Sequence, residues 1–144
     1  MFKRIAVAYN ESPEAGRALA SAIQLAKALG AELKVITVIE DPPLYTAYAS
    51  ATDGSLERTM RDDRYKRYEQ LQAEAHESAL REGVAVVTHV LDGEAASSLV
   101  EFLLRDKPDL LVIGLHRRTS HISRIWSTVY EVAQEAPCSV LGVH

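Results

Sequence analysis

The chain alternates between short apolar runs and stretches in which apolar residues recur every third or fourth position. Ile5–Tyr9 (IAVAY) is a run of strand length, and Leu33–Val38 (LKVITV) is a second, rich in β-branched residues. Val84–Val90, Leu110–Ile113 and Ser139–Val143 continue the series. Between the first two runs, Ala15, Ala18, Leu19, Ala22, Ile23, Ala26 and Leu29 follow helical spacing. Ser12 and Pro13 mark where that helix starts: a hydroxyl cap, then a proline whose missing N–H costs nothing at the first helical position. Gly30 supplies the left-handed residue that ends it. From about Leu56 to Arg81 a charged helix places Met60, Tyr68, Leu71, Ala75 and Ala79 on one face, and Gly83 closes it. Asp92-Gly93 reads as a turn. Ala95, Ala96, Leu99, Val100, Leu103 and Leu104 form a further stripe, ended by Pro108, and Ile125, Val129, Val132 and Ala133 mark a last helix, broken by Pro137.

Strands are therefore expected near residues 2–9, 33–39, 84–91, 109–114 and 139–143, each separated from the next by a helix. Regular alternation of this kind predicts an α/β fold, a parallel sheet with right-handed crossovers and helices on both faces. Ligands in such folds bind beyond the carboxyl ends of the strands, where strand order reverses. The loops around Asn10 and Gly114 are the places to look. The stretch from Glu40 to Asp53, with Pro42-Pro43 and many small residues, is longer than a compact domain tolerates without a reason. Residues 42–60 are expected to be the most mobile part of the chain, and a lid is one use for them.

At 144 residues the chain suits one domain spanning 1–144. A net charge of −4 argues against nucleic acid as the main partner. No apolar stretch is long enough to span a bilayer, so no membrane partner is expected. The single cysteine, Cys138, cannot form an internal disulfide and reads as a small buried hydrophobe. A cytoplasmic protein is the natural expectation.

Within this acidic chain, Leu111–Val129 (LVIGLHRRTSHISRIWSTV) stands apart, because it carries Arg117, Arg118 and Arg124 and no acid. Taken alone, a basic cluster is more often a solvated face than a site; its place after a central strand weighs the other way. His116 and His121 lack carboxylate or thiol companions at ligand spacing, so no metal site is expected. Trp126 reads as helix packing. Ser127 and Thr128 have no adjacent base, and no residue stands out as a catalyst. A response-regulator receiver needs an acidic cluster after the first strand and a lysine after the fifth; here Asn10 and Glu11 follow the first, and the sequence given stops at His144. A dinucleotide or P-loop site needs a glycine-rich turn where Tyr9-Asn10-Glu11-Ser12 stands.

Gly114, position 117, position 127 and Thr128 match the spacing G-x2-G-x9-G-[S/T] of ATP-binding universal stress proteins. Val7–Ser12 resembles that family's first strand and D-x-S turn, Gly93-Glu94-Ala95-Ala96 resembles its third-strand turn, and Ala136–Leu141 (APCSVL) its A-P-C-P-V-L ending. The resemblance covers essentially the whole chain. It implies a three-layer sandwich of the adenine nucleotide alpha hydrolase-like kind, with strand order 3-2-1-4-5. It also implies ATP or a related adenine nucleotide as ligand, with or without Mg, and at most weak hydrolysis. The implied binding residues are Ala8, Asn10, Val38, Ile113, Gly114, His116, Arg117, Ser127, Thr128 and Val129. A homodimer through the last strand, by Val140, Leu141 and Val143, is implied as well.

Three departures fall at the ligand. Arg117 and Ser127 replace the second and third motif glycines, and Asn10 replaces an aspartate. Two readings remain open at this stage. In one, the crevice binds a nucleotide and Arg117 substitutes for lost backbone contacts; the retained Gly114, Thr128 and basic segment favour it. In the other, Arg117 occludes the crevice of a dimeric interaction module that binds no ATP; the missing glycines favour that.

Overall fold

The computed structural model describes residues 1–40, 54–116 and 128–144. In chain order the elements are β1 (Arg4–Ala8), α1 (Pro13–Leu29), β2 (Glu32–Ile39), α2 (Gly54–Arg81), β3 (Val86–Asp92), α3 (Ala95–Asp106), β4 (Leu110–Gly114), α4 (Thr128–Glu135) and β5 (Ser139–Val143). The five strands form one sheet in the order β3-β2-β1-β4-β5. All four pairings are parallel, with Val7 opposite Val35 on one side and Val112 on the other. This is the alternation and the strand order expected above.

Two layers of helix cover the sheet because its central strands are apolar on both faces. One face, through Ile5, Val7, Leu33, Val35 and Val112, packs on Ala18, Leu19, Ala22 and Ile23 of α1 and on Ala75 and Ala79 of α2. The other, through Ala6, Ile36, Leu111 and Ile113, packs on Ala96, Leu99, Val100, Phe102 and Leu103 of α3 and Val132 of α4. Truncating a buried side chain such as Ile23 or Leu103 to alanine would cost about 2–5 kcal/mol.

Local chemistry sets the element ends. Ser12 caps α1 by accepting from the Ala15 amide at 3.2 Å, and Gly30 ends it at φ 62°. Glu94 caps α3 by accepting from the Ala96 and Ser97 amides at 3.0 and 2.9 Å. Those bonds, the Ser97 contacts first, hold its carboxyl below the usual range. α3 closes on Lys107 in the left-handed conformation, just before Pro108.

Several details differ from expectation. β3 begins at Val86, because the Val84 amide is used to close α2 on the Ala79 carbonyl. Residues 54–60 of the segment expected to be mobile lie in α2; its remainder, 42–53, lies outside the described residues. Met60 is exposed, and only Leu71, Ala75 and Ala79 of its predicted face are buried. On α3, Phe102 is buried and Leu104 is 56% exposed, the reverse of the predicted stripe. Ala133 is exposed, Ile125 lies outside the described residues, and Cys138 is only half-buried.

Candidate functional site

The loop after β1 is built by short-range hydrogen bonds. The Tyr9 amide donates to the Ile36 carbonyl at 2.8 Å, and the fully buried Thr37 hydroxyl donates to the Tyr9 carbonyl at 2.9 Å. Asn10 Oδ1 then accepts from the Ser12 amide at 2.9 Å, a turn that Asn and Asp side chains both favour. The replacement at this position therefore keeps the loop geometry while removing a charge. Burial, then the charge of Glu74 and a hydrogen bond to it, push the Tyr9 phenol up, so it stays neutral at ordinary pH.

Across the strand-order reversal, β4 ends at Gly114, which abuts the first turn of α1. A Cβ there would lie 2.5 Å from the Glu14 carbonyl carbon and 2.7 Å from its oxygen. Gly114 is not among the positive-φ glycines, so close approach explains it, and left-handed geometry does not. Beyond it, the Leu115 amide donates to the Val143 carbonyl at 2.6 Å. His116 Nδ1 stands 2.6 Å from Glu14 Oε1. That hydrogen bond is the main cause of a Glu14 carboxyl held down to about 2.

Between these two loops lies an open crevice of about 430 Å³. Ala8, Asn10, Val38, Ile113, Gly114, Thr128 and Val129, all singled out from the sequence, lie along its wall. His116 does not; its ring is engaged with Glu14 and largely exposed. Arg117 and Ser127 lie outside the described residues. Sequence reasoning missed Ile36, Tyr68, Leu71 and Leu99, which also line the crevice. Their helical and strand spacing was legible, yet the same spacing serves packing, so it gave no separate signal.

Much of the lining is apolar, from Ala8, Ile36, Val38, Leu71, Leu99, Ile113 and Val129, while Asn10, Ser12 and Thr128 bring polar groups. Glu11 and Glu40 line it too, and Glu11 pairs with Arg67 of α2 at 3.1 Å. A flat, mostly apolar group with a polar substituent suits such a cleft. Among the described residues no cluster of three or more His, Cys, Asp or Glu gathers to hold a metal. Among them, too, no helix is long and apolar enough to cross a membrane.

Comparison with known proteins bears on what this cleft belongs to. The model of the universal stress protein family matches residues 1–144. The chain belongs to the universal stress protein family. A universal stress protein of Thermus aquaticus is 34% identical over 145 residues, covering 99% of each chain. Among solved structures, a universal stress protein from Lactobacillus plantarum superposes with a TM-score of 0.82 at 20% identity, over 99% of this chain and 98% of that one. A universal stress protein in complex with cAMP gives 0.72 at 24% identity, over 99% and 97%. One from Archaeoglobus fulgidus in complex with dAMP gives 0.72 at 20% identity, over 99% and 98%. At these identities the structural likeness shows this family's fold.

Proposed function

We propose that this universal stress protein binds an adenine nucleotide, ATP or a near relative, in the crevice between the loops after β1 and β4. The observation that carries the reading is the cleft itself. It lies where strand order reverses and brings apolar Ala8, Val38, Ile113 and Val129 together with polar Asn10 and Thr128. The base occupies the apolar floor. Gly114, Thr128 and Arg117 face the phosphates, with Arg117 supplying as a guanidinium what the missing glycines no longer supply as backbone amides. The complexes of two fold neighbours with cAMP and dAMP support the ligand class. A Mg²⁺ ion, if it accompanies a polyphosphate, is held by phosphate oxygens and water, the usual habit of that ion. We place the protein in the cytoplasm, as a stress-linked binding module that pairs with a second copy through β5.

One observation favours the alternative, a dimeric interaction module with the crevice closed by Arg117. The described wall carries Glu11 and Glu40, which repel a polyphosphate. Calorimetric titration with ATP, AMP and inorganic triphosphate separates the two readings. The nucleotide reading expects saturable heat from ATP and AMP and much weaker binding of triphosphate. No heat from either nucleotide, combined with their appearance in an Arg117→Gly, Ser127→Gly double variant, would establish occlusion.

A further inference from the structure

α2 follows β2 and leads into the parallel strand β3, so its N-terminal end stands at the crevice end of the sheet. At 28 residues it is about 42 Å long, whereas the eight residues of β2 span about 26 Å. Its buried residues, Leu71, Ala75 and Ala79, all fall in its second half. The first half therefore rises past the strand ends. Tyr68 and Leu71 are the residues where this helix meets the crevice.

Arg64 lies one turn farther up the same face. At 100° per residue, positions 64, 68, 71 and 75 fall within about 60° of one another. The burial along the helix agrees: Arg64 is half-buried, while Arg61–Asp63 and Tyr65–Arg67 are exposed. Its Cα is about 6 Å along the axis from that of Tyr68, on the outward side of the crevice. Arg67 is paired with Glu11 and Arg81 with Glu77, but among the described residues no carboxylate pairs with Arg64. A nucleotide bound here brings its phosphates into a crevice whose described lining includes Glu11, already paired with Arg67, and Glu40, and no Lys or Arg.

We propose that Arg64 is a phosphate-binding residue of this crevice, reaching down from α2 to the anionic end of the bound nucleotide. The inference rests on the nucleotide reading above. A guanidinium carried on α2 offsets the charge of Glu40, Glu11 being paired with Arg67 already, and takes phosphate oxygens in its fork. It also makes the affinity depend on the number of phosphates, since adenosine alone would not engage it.

Calorimetric titration of the full chain with adenosine, AMP and ATP tests this, using wild type, Arg64→Gln, Arg64→Lys and Lys66→Gln. Lys66 is exposed and stands about 200° around the helix, so its variant makes the same charge change on the opposite face. Arg64→Gln should weaken AMP and ATP about tenfold or more, leave adenosine unchanged and reduce the salt dependence of ATP binding. Arg64→Lys should recover part of the loss, and Lys66→Gln should bind as wild type. Equal weakening of adenosine and AMP, or equal losses in Arg64→Gln and Lys66→Gln, would overturn the role of Arg64 and leave nucleotide binding standing. Failure of wild type to bind any of the three would overturn both.

Discussion

Gly114 and Glu14 touch backbone to backbone: the end of β4 lies so close to the first turn of α1 that a methyl group on Gly114 would meet the Glu14 carbonyl carbon at 2.5 Å. The contact fixes the distance between the two loops that form the crevice. It also explains the retained motif glycine without reference to a ligand.

Gly114→Ala should therefore destabilise the fold by about 1–3 kcal/mol, the usual cost of overpacking, because the obstacle is helix backbone and cannot rotate away. Denaturant unfolding measures this. A stability equal to wild type would mean that α1 can withdraw freely and that the crevice has no fixed width.

The pair beside it gives a prediction in pH. Glu14 is held down to about 2, first by its hydrogen bond with His116. A depressed carboxylate stabilises the fold above its unfolded pKa, near 4.5. That contribution is lost as pH falls from there to about 2. NMR titration should find Glu14 ionising near 2 in wild type, and His116→Ala should return it toward the ordinary range. Ionisation near 4.5 in wild type would show that the pair is not formed in solution.

The proposed dimer rests on β5, which pairs with β4 and ends the sheet. Its side chains do not contribute equally. Val140 and Val143 pack in part against the two cores, whereas Leu141 is 38% exposed. An uncovered edge with an apolar residue invites pairing. Leu141→Lys should shift the protein to monomer in sedimentation while leaving its unfolding transition near that of wild type. An unchanged sedimentation coefficient at equal concentration would place any interface elsewhere.

Patterns that act over a few residues were readable in the sequence: the five apolar runs, the Ser12-Pro13 start and the Gly30 end of α1, and the break at Pro108. Strand order and the crevice residues came from the likeness to a known family, and the sheet agrees with that order. What could not be read depends on approach between distant segments. Glu14 and His116 are 102 positions apart, and the Asp109 carboxylate that anchors the Lys3 and Arg4 amides is more than a hundred positions from them. Thr37, a fully buried polar residue of β2, gives no local hint that its hydroxyl holds the Tyr9 carbonyl. Phe102 and Leu104 are two positions apart, and helical spacing alone does not decide which of them the sheet covers.

We propose the cleft between the loops after β1 and β4 as a nucleotide site. Amide chemical-shift mapping with AMP, on the full chain, tests it most directly. The largest changes should cluster at Ala8, Asn10, Val38, Gly114 and Val129 and should saturate together with one dissociation constant. Saturating changes confined to the opposite pole of the sheet, around Gly83–Val87, or no saturable change at millimolar AMP, would contradict it.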